Sequence, residues 1–230
     1  MMIRAALLTL SLATAALAQA PPPVPPTPPE TPAPVATPFP APPPGPVPAP
    51  VPAPLPQPTG PRVVLQTRGG PITIELNRDK APVTTANFLK YVDQKRLDGS
   101  SFYRELKFPY PTPLGLVQFG VRGRSDKVLP PIAHESTAKT GLSHTDGAIS
   151  MARGAPGSAQ GDFFIIIGDL HTLDASDKDA GYAVFGRVVE GMDVVRKIID
   201  APTSPTAGEG AMKGQMIAAP VVVTTARRGK

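Results

Sequence analysis

Twenty-two of the chain's 33 prolines fall before Arg62. Proline fixes φ and removes a backbone donor, so a dense run of it enters neither a helix interior nor a sheet ladder. The run from Pro21 to Pro61, "PPPVPPTPPETPAPVATPFPAPPPGPVPAPVPAPLPQPTGP", favours polyproline II and offers too little to bury. Only Arg4 and Glu30 carry ionisable side chains ahead of Arg62. At roughly 3.1 Å per residue the run reaches about 120 Å when extended. It predicts a disordered, semi-rigid linker over residues 19–61, with docking to a proline-binding module as the competing reading.

The first twenty residues, "MMIRAALLTLSLATAALAQA", have the build of a secretory signal. Arg4 is the positive flank, Ala5 to Leu17 the apolar stretch, and Ala16-Leu17-Ala18 the small-residue cleavage signature. Cleavage after Ala18 is expected, because a cut after Ala20 would leave Pro21 beside the bond. The apolar run is shorter than the roughly 20 residues of a membrane span, which predicts no stable span after cleavage and a periplasmic or secreted protein. The chain divides accordingly into a signal at 1–18, a linker at 19–61 and one folded domain at 62–230, large enough for a core of its own.

With no cysteine in the chain, disulfides, thiol nucleophiles and thiolate metal sites are excluded together. The net charge of +5 comes from scattered residues without the aromatic interleaving of an RNA-binding strand, so no nucleic-acid partner is expected.

From Arg62 the pattern is of short strands. "RVVLQTRGGPITIELN" reads as a hairpin turning at Gly69-Gly70. A helix over Thr84 to Arg96, after Pro82, places Phe88, Leu89 and Val92 on one face. "SSFYREL", "PLGLVQFG", "AISMA", "FFIII", "YAVFGRVVE" and "QMIAAPVVVTTARR" are strands, and "GMDVVRKIID" is a helix with Val194, Val195 and Ile198 on one side. Many strands with two helices suggest a closed antiparallel barrel.

Conventional catalytic motifs fail one by one. His134-Glu135 lacks the second histidine of a zinc helix, so no metal is expected. Ser143, His144 and Asp146 are too close along the chain to form a triad alone, although a hydrolase around Ser143 and His144 stays open. Gly157-Ser158-Ala159-Gln160-Gly161 has its serine one place early for a nucleophile elbow. Arg104 is the more informative group: strict alternation puts it on the face of Phe102, and an inward arginine needs a partner or a ligand.

"VVLQTRGGPITIELNRDKAPVTTANFLKYV", "FYR", "LVQFG", "ISMARGAPGSAQGDFF" and "GYAVFGRVVEGMDVV" occur in that order. Together they resemble the cyclophilin family of peptidyl-prolyl cis-trans isomerases, and "PPIAHE", "SMAR" and the last segment resemble its bacterial exported branch. The likeness covers about Arg62 to Arg227. It implies a mainly β fold, an eight-stranded antiparallel closed barrel capped by two α-helices. It also implies an enzyme that rotates X-Pro amides in unfolded or extended segments and assists folding in the periplasm, with no cofactor and a monomeric state. The resemblance makes Arg104 the catalytic arginine and Gln118 the glutamine that orients it. It assigns Leu116, Phe164, Leu173 and Tyr182 to the proline pocket, and Ala152, Arg153 and Gly154 to the strand that pairs with the peptide. Asp162 stands where the family has a peptide-binding glutamine.

The chain departs from the family pattern in several places. About six extra residues, "KFPYPTP"-like, separate Arg104 from Gln118. Gly115 stands for a pocket phenylalanine, which Phe108 or Tyr110 could replace by folding back. Thr172 stands for an aromatic, and Asp162 could pair with Arg104 or Arg153. These departures keep a second expectation open: a weakly active or inactive peptide-binding or chaperone module of the same fold.

Overall fold

The computed structural model describes residues 60–108, 114–122 and 124–229. The expected signal, nearly all of the proline-rich linker, and Tyr110 lie outside the described residues.

The first strand, β1 (Arg62–Thr67), turns into β2 (Gly70–Leu76). Thr67 pairs with Gly70 across the turn, and Gly70 has φ 126°, a conformation that glycine adopts without strain. Helix α1 (Pro82–Asp93) follows. Then come β3 (Ser100–Phe108), β4 (Leu114–Gly120), a single turn of helix α2 (Thr137–Thr140), β5 (Ala148–Met151) and β6 (Asp162–Ile167). β7 (Val184–Glu190), α3 (Met192–Ile199), β8 (Thr203–Ser204) and β9 (Met216–Arg228) complete the order.

Eight strands close in the order β1-β2-β7-β5-β6-β4-β3-β9, with β9 returning to pair with β1 and β8 appended to β9. All of the pairings are antiparallel. β9 makes closure possible because its 13 residues are long enough to pair with β3 at one end and β1 at the other. A closed ring leaves no long unpaired edge.

The barrel interior is aromatic at its centre. Phe163 of β6 meets Phe88 of α1 edge-on at 4.8 Å, and lies 5.5 Å from Phe119 and 6.0 Å from Phe185. α1 buries Phe88, Leu89, Tyr91 and Val92 against the barrel, and α3 buries Val194, Val195 and Ile198. Both helical faces match the apolar spacing of the sequence. α1 is shifted toward the N-terminus relative to the expected Thr84–Arg96. Pro82 occupies the first turn, where its missing N–H has no partner to lose, and the chain leaves the helix before Lys95, whose φ is 53°. The Glu135 carboxylate accepts from the N–H groups of Val83 (3.0 Å) and Thr84 (2.8 Å). Glu135 of the incomplete "HE" motif is thus the cap of α1.

Phe163→Ala removes the ring that links α1 to three strands. It is expected to lower unfolding free energy by about 3–5 kcal/mol, measured by urea denaturation of the folded domain. A loss below about 1 kcal/mol would contradict this packing.

Candidate active site

β3 carries an extra residue opposite β4. Phe102 pairs with Phe119, but Arg104 pairs with Gln118, so two steps on β3 match one on β4. This is a β-bulge at Tyr103, and it reverses the alternation. Phe102 stays in the core, 4.7 Å from Phe119. Arg104 emerges on the outer face beside Gln118, not on the face of Phe102 as strict alternation predicts.

The outer face of β3, β4 and β6 carries an open groove of about 450 Å³, and all ten sequence-predicted site residues border it. Phe164 and Leu116, on adjacent strands, form an apolar base and are 4% and 7% exposed. Tyr182 meets Phe164 edge-on at 5.3 Å, and Leu173 packs against the same cluster. Arg153 lies over the Tyr182 ring, 4.9 Å from its centroid, and its Nε donates to the Gly181 carbonyl at 2.9 Å. Its guanidinium braces the groove wall. The Ala152 N–H donates to the Asp162 carbonyl (2.9 Å) and the Gly154 N–H to Ser158 Oγ (3.0 Å). These two N–H groups are therefore already satisfied within the chain.

The polar wall is a directed chain. Arg104 Nη1 donates to Gln118 Oε1 (2.8 Å), Gln118 Nε2 to Tyr103 Oη (2.8 Å), and Tyr103 Oη to Asp162 Oδ1 (3.1 Å). The same carboxylate oxygen accepts the Arg122 N–H at 2.9 Å. Asp162 thus pairs with neither Arg104 nor Arg153; the hydroxyl of Tyr103, which faces outward next to the core residue Phe102, and the Arg122 amide take its Oδ1 instead. Burial raises the Asp162 pKa, opposed by the Arg122 amide and the Tyr103 hydroxyl. Burial and the neighbouring Asp162 charge raise that of Tyr103, which stays a donor. Burial draws the Arg104 pKa down, yet a guanidinium keeps its charge at neutral pH.

Gly115 points away from the groove. A Cβ there would lie 2.2 Å from the Leu106 carbonyl oxygen and 2.7 Å from Ile199, so this backbone admits no aromatic side chain. Phe108 packs beside the cluster of Leu116, Phe164 and Ile166 and does not border the groove. Thr172 is exposed in a single 3-10 turn. Several contributors escaped the sequence reading: Leu106, Met212, Gln160 and Ser158 on the lining, Tyr103 in the relay, and Gln215, whose Oε1 accepts from Arg104 Nε (2.8 Å) and Nη2 (2.6 Å). "FYR" contains Tyr103 in plain view, but nothing local signals the bulge. Gln215 lies 111 residues from Arg104.

The histidine that invites a hydrolase reading lies beneath the groove base. His144 Nδ1 meets Asp174 Oδ1 at 2.6 Å and its Nε2 meets Ser150 Oγ at 3.0 Å. Both His144 and Ser150 are fully buried, which leaves no approach for a substrate. Ser143 Oγ donates to Asp174 and meets His171 at 2.8 Å, and Asp146 instead holds Arg196. The His144 ring stacks 5.9 Å from Phe164, so this cluster supports the apolar base.

The groove thus sets an apolar base of Leu116 and Phe164 beside the guanidinium of Arg104, which neutral oxygens hold in place. Comparison with known proteins identifies the family. The family model described as "Cyclophilin type peptidyl-prolyl cis-trans isomerase/CLD" matches residues 62–225. A peptidyl-prolyl cis-trans isomerase of Acinetobacter baylyi is 41% identical over 146 residues, covering 62% of this chain and 73% of that protein. Peptidyl-prolyl cis-trans isomerase B of Escherichia coli is 38% identical over 140 residues, 59% of this chain and 82% of the relative. A crystal structure of a Cryptosporidium parvum cyclophilin type isomerase matches the fold with TM-score 0.59 at 18% identity, over 74% of this chain and 98% of that one; the same protein was also crystallised in the presence of the dipeptide Ala-Pro. The chain belongs to the cyclophilin-type peptidyl-prolyl cis-trans isomerase family, enzymes that rotate the amide bond preceding proline.

Burial pushes the His144 pKa below its ordinary value of 6.5 and outweighs the opposing pull of Asp174. The unfolded chain therefore takes up a proton near pH 6.5 that the folded protein resists. The stability owed to neutral His144 is complete above that pH and falls as pH is lowered. The unfolding free-energy difference between the native protein and His144→Gln is expected to shrink from about pH 7.5 to about pH 5.5 in urea melts. A difference constant with pH would overturn the neutral assignment.

Proposed function

We propose that this isomerase acts through Arg104, oriented by Gln118, on X-Pro bonds of extended polypeptide lying in the groove. Leu116, Phe164, Leu173 and Tyr182 take the pyrrolidine ring, and the backbone from Ala152 to Gly154 pairs with the chain. Arg153 braces the wall, and Asp162 anchors the polar relay. The observation that carries this reading is a half-buried guanidinium tied to two neutral glutamine oxygens at the edge of an apolar base.

Resonance sets the barrier of an X-Pro amide at about 18–20 kcal/mol. As the bond twists, the prolyl nitrogen pyramidalises and recovers a lone pair. Three of the Arg104 N–H bonds go to glutamines, and a guanidinium has five, so two remain for that nitrogen. The hydrogen bond they offer exists chiefly in the twisted state, which is the condition for acceleration. A 10⁶-fold rate enhancement requires about 8 kcal/mol, whereas one charge-assisted hydrogen bond contributes about 1.5–3 kcal/mol. Fixed orientation and exclusion of water from the apolar base supply the rest.

Exchange spectroscopy by NMR on a short Ala-Pro-containing peptide tests the assignment. Arg104→Ala is expected to slow catalysed cis-trans exchange about 100-fold or more, and Arg104→Lys to restore little, because a point charge does not reproduce the fork. Undiminished exchange in Arg104→Ala would remove Arg104 from the mechanism. Peptide binding without exchange in the native protein would instead establish the binding-module reading.

The proposed setting is the periplasm, where the domain at 62–230 works as a monomer on unfolded clients, joined through the linker at 19–61 to a removable signal at 1–18. The support is the positive flank, short apolar run and Ala16-Leu17-Ala18 signature. Among the described residues no helix is long and apolar enough to cross a membrane. Mass spectrometry of the exported protein is expected to find Gln19 at the N-terminus; retention of Met1 or Met2 in that fraction would refute the signal.

A further inference from the structure

More of the Arg104 guanidinium is held by Gln215 than by Gln118. Gln215 immediately precedes β9, and its Oε1 accepts from both Nε (2.8 Å) and Nη2 (2.6 Å). The acceptor is itself constrained. Gln215 Nε2 donates to the Ala211 carbonyl at 2.7 Å, which turns the amide oxygen, rather than its nitrogen, toward the arginine. The backbone is tied as well: the Gln215 carbonyl accepts from Glu105 N–H (3.0 Å), next to Arg104, and its N–H donates to Met212 O (3.1 Å). Gln118 takes only Nη1, on the other side of the planar fork. With a single acceptor, the guanidinium could still swing about its own side-chain bonds. With acceptors on two sides its plane is fixed, and so are the directions of its two remaining N–H bonds.

The chemistry of the acceptor matters as much as its place. A carboxylate at this position would neutralise the guanidinium and compete with the weakly basic prolyl nitrogen. A carboxamide oxygen orients the same two N–H bonds without cancelling the charge. Asp162 is kept from direct contact with the arginine by Tyr103 and Gln118.

We propose that Gln215 is a positioning residue for the isomerase reaction, clamping the Nε–Nη2 edge of Arg104 so that its free N–H bonds meet the twisting prolyl nitrogen. The proposal rests on the reading of Arg104 as the catalytic group.

The test compares Gln215→Met, which keeps the side-chain length and removes the acceptor, with Gln215→Glu, which keeps an acceptor but cannot donate to Ala211. Catalysed exchange of a saturating Ala-Pro-containing peptide, the peptide Kd and the Arg104 Nε–H signal in a ¹⁵N correlation spectrum are read for each. Q215M is expected to lower the saturated exchange rate about tenfold, to leave Kd within about twofold, and to move the Nε–H signal toward that of a free arginine. In an Arg104→Ala background, Q215M is expected to cost nothing further. Q215E is expected to keep the Nε–H hydrogen-bonded, with its signal moving away from that of a free arginine rather than toward it, while still lowering the rate, because the orientation survives and the carboxylate pairs with the positive charge. An unchanged rate in Q215M, a loss confined to Kd, or an equal loss in the Arg104→Ala background would overturn the proposal. So would a Q215E signal that moves as Q215M's does, since loop integrity would then be the cause. Unchanged exchange in Arg104→Ala alone identifies a failure of the underlying assignment instead.

Discussion

Strand β3 must serve the barrel core and the groove at once, and its ladder with β4 gains a residue at Tyr103 to do so. Without the bulge, alternation would send Arg104 inward with Phe102, where a guanidinium would stand unpaired among aromatic rings at a desolvation cost of several kcal/mol. With it, Phe102 keeps its place against Phe119, while Tyr103 and Arg104 both serve the outer side. Tyr103 faces outward by simple alternation from Phe102, and the bulge brings Arg104 to that same face, so that the two can share Gln118. Gln118 turns its oxygen to Arg104 because its nitrogen already has Tyr103 to bond, and Tyr103 passes the chain on to Asp162.

The resulting electrostatics keep a half-buried carboxylate near Arg104 without letting the two neutralise each other. An arginine satisfied by a full countercharge from Asp162 would have little left to offer a developing lone pair. Interposing a phenol and an amide lets Asp162 order the donors while the positive charge remains at the groove. Two neutral oxygens, from Gln118 and Gln215, then hold the fork.

Properties that depend on neighbours along the chain were the ones legible in the sequence. Apolar spacing identified the buried faces of α1 and α3, Gly69-Gly70 marked the first hairpin, and dense alternating strands implied closure. The ordered likeness to cyclophilins added the ten predicted residues, all of which border the groove, because much of the groove is built on strands whose order the likeness preserves. What escaped depends on contacts between distant segments. The bulge is a property of the β3–β4 pairing rather than of "SSFYREL" alone. Gln215 reaches Arg104 across 111 residues, and Asp162 took its partner from the outward turn of Tyr103. Glu135, dismissed with His134 as a failed metal motif, caps a helix that begins 53 residues earlier.

Burial separates the two polar clusters of this barrel into different kinds of work. Ser150, His144 and Asp174 fall in the hydrogen-bond order of a hydrolytic triad, but the serine and histidine are sealed beneath Phe164. Enclosed, the set can only stiffen the base on which a pyrrolidine ring would rest. Arg104 stands at the accessible rim and has no proton to give up at neutral pH. Rotation about an amide breaks no covalent bond and leaves no leaving group to protonate, so a general acid or base would have nothing to do. In the proposed mechanism a fixed charge over a firm apolar base meets that demand: the charge would favour the twisted nitrogen, and the base would keep the proline where that charge can reach it.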